Sequence, residues 1–133
     1  MSKVFVSYRY VDRLKVEQYV KRLKADQINL WFDQEFISIG DDWKMLISKA
    51  IAESEIFLLF LTESMIDLKG SQTDDEMGLA LKKAKIDSSY KVLPVRINPR
   101  VPVPRKFRKY AAVDLSRGHR KERNYQRLLK LLK

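Results

Sequence analysis

The sequence predicts an α/β domain of the doubly wound, flavodoxin-like kind, with five parallel strands in one sheet and helices on both faces. Three observations carry this expectation. Segments with a helical apolar period alternate with short apolar runs along most of the chain. One of those runs, Ile56-Phe57-Leu58-Leu59-Phe60-Leu61, is apolar at every position, as a strand covered on both faces must be. At 133 residues the chain can bury one sizeable core but not two, so residues 1–133 are read as a single domain.

Each element has its own signal. Val4-Phe5-Val6 precedes Ser7-Tyr8-Arg9 and reads as a buried strand entering a loop. A helix follows near 12–25, with Asp12 as the capping residue and Val16, Tyr19, Val20 and Leu23 at helical spacing. Ile28-Asn29-Leu30-Trp31 is the second strand. Residues 32–41 lack a clean period and contain Gly40, which makes them a long loop. In the second helix, Trp43, Leu46, Ile47, Ala50 and Ile51 form one apolar stripe, and Asp41 and Asp42 sit where the helix dipole favours negative charge.

After the strand 56–61, a polar connection with Gly70 leads to a third helix near 73–85, carrying Met77, Ala80, Leu81 and Ala84 on one side. Lys91 to Ile97 is the fourth strand; Pro94 cannot donate to a ladder, which places it near an edge or a bulge. Prolines 99, 102 and 104 require an extended connection. Ala111 to Asp114 is a short fifth strand. The last helix, from about residue 120, places Tyr125, Leu128, Leu129 and Leu132 on one face. It ends without a C-cap, so the natural chain is expected to continue into another domain, for which either a C-terminal sensor domain that binds a nucleotide or an oligomerising domain would suit triggered assembly.

Composition removes several classes of function. There is no cysteine, which excludes a disulfide scaffold, a thiol nucleophile and a thiolate metal site. A single histidine, His119, beside Gly118, leaves no imidazole cluster for a metal and reads as an exposed loop residue. The longest apolar run is the six residues 56–61, far short of a membrane span. Met-Ser-Lys leads straight into the first strand without a signal peptide, so the expected location is cytoplasmic. The net charge of +10 is unevenly placed. Residues 1–95 hold 14 Lys or Arg against 15 Asp or Glu, a net of −1; residues 96–133 hold 13 against 2, a net of +11. Such a tail attracts anionic partners, but no nucleic-acid motif accompanies it, and nucleic-acid binding ranks last among the readings.

Other occupants of this architecture fail on their chemistry. A phospho-receiver needs acidic residues after the first strand and an aspartate ending the third, whereas these strands end in Ser7-Tyr8-Arg9 and Leu61-Thr62. The four glycines, at 40, 70, 78 and 118, form neither a P-loop nor a dinucleotide fingerprint, and there is no Gly-x-Ser-x-Gly elbow. What remains is an ordered set of short segments. Val4-Phe5-Val6-Ser7-Tyr8-Arg9 precedes Asp12; Ile28-Asn29-Leu30-Trp31-Phe32-Asp33 precedes Ile39-Gly40-Asp41-Asp42-Trp43; Ile47 to Ser54 leads into the strand 56–61; and Glu76 opens the third helix. Over about residues 2–115 this order resembles a TIR (Toll/interleukin-1 receptor) domain, nearer to bacterial and plant members than to animal receptor adaptors.

The resemblance implies self-association through the loop after the second strand, here with Phe36, Ile37, Ile39 and Gly40. It also implies cleavage of NAD+, as substrate rather than cofactor, at the nicotinamide–ribose bond in the setting of anti-phage defence. Glu76 matches the family's catalytic glutamate. The family often reads Ser-x-Trp-x-x-x-Glu there; this chain has Gly70 and Gln72 at the first two of those positions, and Asp74 and Asp75 stand beside the glutamate. Tyr8, Arg9, Phe32, Asp33 and Trp43 are the substrate-binding candidates. Arg9 faces the pyrophosphate or pairs with Asp12 or Asp33; Tyr8 and Phe32 stack on a ring of the substrate, or Tyr8 is a structural residue. Trp31 and Trp43 also read as core. A non-enzymatic TIR–TIR signalling scaffold is the alternative function.

Overall fold

The computed structural model describes residues 3–32, 38–66, 71–116 and 118–133. The strands are β1 (Lys3–Ser7), β2 (Asn29–Trp31), β3 (Ile56–Leu61), β4 (Lys91–Arg96) and β5 (Val113–Asp114). The helices are α1 (Arg13–Ala25), α2 (Trp43–Glu53), α3 (Gln72–Ile86) and α4 (Lys121–Leu132). All strand pairs are parallel, in the order β2-β1-β3-β4-β5. This is the flavodoxin-like order that the alternation of elements predicts.

β3 lies at the centre of the sheet, and each of its six residues is buried. Alternation of side chains along the strand divides them between two cores. Ile56, Leu58 and Phe60 join Val4, Val6 and Tyr8 of the first-strand region against Val16, Val20 and Leu23 of α1 and Tyr125, Leu128, Leu129 and Leu132 of α4. Phe57, Leu59 and Leu61 join Phe5 against Ile47 and Ile51 of α2, Met77 and Ala80 of α3, and Phe107. Pro94 belongs to β4, which is not an edge strand, but β5 pairs only with Val95 and Arg96. The missing N–H therefore falls beside the short fifth strand and costs no ladder bond there.

Helix ends follow the sequence with two departures. Asp42 caps α2, its carboxylate accepting from Met45 N at 3.2 Å, and Ser71 caps α3, accepting from Asp74 N at 3.1 Å. Asp12 occupies the cap position of α1, but its side chain makes no cap bond. A turn of 3₁₀ helix, Tyr10–Asp12, precedes α1, and the carboxylate is used elsewhere. α1 ends in a Schellman motif, with Ile28 N donating to Leu23 O and Gln27 N to Lys24 O, which places the non-glycine Gln27 at φ 66°.

Lys83 has a structural role with no local sequence signal. From α3 its ammonium reaches carbonyls at and just past the end of α2, at 2.5 Å from both Ala52 O and Ser54 O and 3.2 Å from Ile51 O, which also accepts from Ser54. It also lies 4.5 Å from the centre of the Tyr90 ring, whose hydroxyl, pushed up to about 12 by burial against the opposing bond to Ser54, stays neutral. Lys83→Met keeps the stem and removes the donors. We expect a loss of about 1–3 kcal/mol in urea denaturation, the range for hydrogen bonds to charged groups and the penalty of unpaired carbonyls.

Candidate active site

The connections from β1 and from β3 leave toward opposite ends of the sheet order, so the carboxyl ends of these two strands flank a switch point where ligands bind in such folds. The loops on its two sides are tied together. Asp12, after β1, accepts from Ser64 N at 3.2 Å, and Lys15 of α1 pairs with Glu63 at 3.1 Å across the same gap. Thr73 of α3 donates to the Tyr8 carbonyl at 2.8 Å.

Glu76 sits on this ridge. It belongs to the second turn of α3 rather than the first, because the helix already begins at Gln72. At 3% exposure it is buried, unlike exposed Asp75 and half-buried Asp74 in the first turn. Its Oε1 accepts from the hydroxyl of Ser7, itself fully buried, at 2.6 Å. A buried carboxylate is costly without donors, and Ser7 is one such donor. Sequence reading named Ser7 only within a motif; its pairing spans 69 residues and depends on the β1–α3 packing.

The other candidates divide. The Tyr8 and Phe32 rings stack at 5.3 Å with an interplanar angle of 26°, and both are buried in the α1-facing core. Ser7 points to the opposite face of β1, toward α3, as strand alternation requires. The two rings, read as stacking on a substrate ring, stack on each other in the α1-facing core, whereas Ser7 and Glu76 meet on the α3 side of the sheet. Arg13, which was not among the candidates, closes this stack, its guanidinium 4.9 Å from the Phe32 ring centre and 3.5 Å from the Tyr8 hydroxyl. Arg9 lies half-buried beyond the end of β1, and its carbonyl accepts from Asp12 N.

Trp43 is 41% exposed at the start of α2, so of the two tryptophans only Trp31 packs inward, stacked on Phe5 at 4.9 Å. A stripe position in a first helical turn is buried only if something covers it, and the described residues do not cover this one. Ile39 and Met45, near it in sequence, are also exposed, and Gly40 takes φ 92°, where a side chain would be strained. Asp33, Phe36, Ile37 and Gly70 lie outside the described residues. A groove of about 310 Å³, lined by Lys3, Trp31, Leu46, Ala50 and Glu53, lies at the amino ends of β1 and β2, away from Glu76. No group of His, Cys, Asp or Glu among the described residues is arranged to hold a metal ion. No helix among them is long and apolar enough to cross a membrane.

The Asp12 carboxyl is held below its ordinary value of 3.8. Burial alone would raise it, but hydrogen bonding from Thr62 and Ser64 and the charge of Lys15 outweigh that. Thr62 Oγ1 is buried and short of a well-formed bond, yet it faces this carboxylate and helps hold it ionised. A depressed folded pKa stabilises the protein above the ordinary value and stops doing so as pH falls through the folded one. Wild type should therefore lose stability below about pH 4. Asp12→Asn should lose less over that window in acid denaturation followed by circular dichroism.

Comparison with known proteins agrees with this fold. The TIR-domain family model matches residues 4–129. The TIR domains of the activated Roq1 resistosome, which directly recognises the pathogen effector XopQ, share the fold with a TM-score of 0.76 at 17% identity over 100% of both chains. The TIR domain of the Toll-related receptor TRR-2 from Hydra magnipapillata gives 0.74 at 17% identity, over 99% of this chain and 98% of that one. The CMP N-glycosidase BcmB of Clostridium botulinum gives 0.63 at 17% identity, over 98% and 99%. No curated protein matches the chain. At these identities the likeness is one of fold.

Proposed function

The chain belongs to the TIR-domain family, and on that premise we propose that it is an NAD+ nucleosidase, releasing nicotinamide and ADP-ribose or a cyclic isomer. One observation carries the reading: Glu76, which the sequence resemblance matches to the family's catalytic glutamate, is a buried carboxylate held by the last residue of β1, beside the switch point of the sheet. That one structural neighbour is a CMP N-glycosidase supports the same bond type, an N-glycosidic link between a base and ribose.

The chemistry suits these residues. When the C1′–N bond of NAD+ breaks, its electron pair goes to the pyridinium nitrogen, so nicotinamide departs neutral and needs no acid. The barrier lies in the positive charge developing on the ribose, as in glycoside hydrolysis. An ionised Glu76 stabilises that charge and accepts from the ribose hydroxyls, an interaction that strengthens in the transition state. Water then adds to C1′ and loses its proton to solvent. Arg9, just beyond the end of β1, supplies a cation for the pyrophosphate; Asp33 and Trp43 enter the proposal as substrate-binding residues on the sequence resemblance alone.

A carboxylate only 3% exposed is poorly accessible to substrate in a single copy. This supports dependence of turnover on assembly, for which exposed Ile39, Trp43 and Met45 offer an apolar contact between copies. The same surface serves the alternative, a signalling scaffold without catalysis. Incubating NAD+ with the protein, its assembly verified by light scattering, separates the two. Released nicotinamide supports the enzyme; none from verified assemblies supports the scaffold.

A further inference from the structure

The geometry points to Ser7 as a positioning residue for Glu76, with Thr73 bracing the same contact. This rests on the reading of Glu76 above and deepens it. Ser7 is the last residue of β1, fully buried, and its hydroxyl donates to Glu76 Oε1 at 2.6 Å. The next residue, Tyr8, offers its carbonyl to the buried Thr73 hydroxyl at 2.8 Å. Two consecutive residues at the end of β1 thus meet residues 73 and 76, which share one side of α3 at i, i+3 spacing.

Two such bonds fix more than one does. A shift of α3 by a single residue slides it by about 1.5 Å and turns it by about 100°, which breaks both. The helix is therefore locked against the strand in both position and rotation at the turn that carries the carboxylate.

Ser7 also acts on the carboxylate itself. A hydroxyl has one proton to give, and here it is committed to Glu76 at the short distance typical of charge-assisted bonds. A donor to the ionised form favours that form. It also fixes one oxygen, so the carboxylate is oriented before charge develops on the ribose, where an unheld group would have to be ordered during the reaction. Both hydroxyls act through Glu76 and are not themselves catalytic.

The test uses Ser7→Ala and Ser7→Thr in the assembled full chain. Ser7→Ala should lower kcat for nicotinamide release about ten- to a hundredfold, with KM for NAD+ changed by no more than about twofold. Ser7→Thr retains the hydroxyl in a residue suited to strands and should recover most of the loss. A residue that only packs would lower Tm and leave kcat of the folded protein alone. A second readout needs no turnover. With 13C-labelled glutamate, the Glu76 carboxylate resonance, assigned by its absence in Glu76→Gln, should shift in Ser7→Ala and return in Ser7→Thr. An unmoved resonance, or unchanged kcat in folded Ser7→Ala, overturns the positioning role. A wild type that releases no nicotinamide while the resonance responds as expected overturns the nucleosidase reading and leaves the Ser7–Glu76 coupling standing.

Discussion

Glu76→Gln abolishes NAD+ cleavage while the protein stays folded: this is the largest functional effect expected. The amide has nearly the volume of the carboxylate, and its oxygen still accepts from the Ser7 hydroxyl now 2.6 Å from Oε1. Packing of α3 on the sheet is therefore retained, and urea denaturation should show a change of about 1 kcal/mol or less. What is lost is the negative charge that opposes the cation on the ribose. Removing one preorganised electrostatic group costs about a hundred- to a thousandfold in rate, and the full charge of the catalytic carboxylate should cost at least that. Asp74 and Asp75 are the internal controls. Both lie in the first turn of α3, half-buried and exposed, and replacing either with Asn should leave nicotinamide release within about threefold of wild type. If instead one of them abolishes turnover and Glu76→Gln does not, the catalytic carboxylate has been misassigned.

The largest effect on stability is expected at Phe57. It is fully buried in the central strand, with its ring 5.8 Å from Phe5 and 6.3 Å from Phe107. Its neighbours are held by the sheet on one side and by α2 and α3 on the other, so they relax little into a cavity. Phe57→Ala should cost about 3–5 kcal/mol. A domain of this kind has about 5–15 kcal/mol in total, so the variant approaches unfolding at 37 °C. Trp43→Ala, a larger truncation at a 41% exposed site, should cost about 1 kcal/mol or less. Urea midpoints for the pair test whether burial, and not ring size, decides the loss.

Those two aromatics also mark what can be read from a sequence. A strand apolar at every position has one physical solution, burial on both faces, and β3 spans the Ile56–Leu61 run as written. The α4 stripe behaves likewise: Tyr125, Leu128, Leu129 and Leu132 are all buried. Trp43 fits its helical stripe equally well, but periodicity names the face and not what covers it. Tyr8 and Phe32 read as rings for a substrate to stack on, and in the structure they stack on each other. Which face each ring takes is set by register along β1, where Ser7 and Tyr8 must point oppositely.

Long-range polar contacts were the least legible. Asp12 has the residue type of a helix cap, and its use by Ser64 N depends on the loop after β3 coming alongside. Lys83 reads as a surface lysine until the end of α2 is placed under it. The charge asymmetry, by contrast, survives. The +11 segment forms the β5 end of the sheet and α4, with Arg105, Lys106, Arg123 and Arg127 exposed, while Ser7 and Glu76 lie at β1. The named basic side chains thus lie toward the other end of the strand order from the candidate site.

Nicotinamide release from NAD+ by the verified assembly is the most direct measurement of the central claim. Assembled wild type should release more than one nicotinamide per chain, matched by ADP-ribose or its cyclic isomer, and assembled Glu76→Gln only the background amount. No release from assembled wild type, or equal release from both proteins, would contradict it.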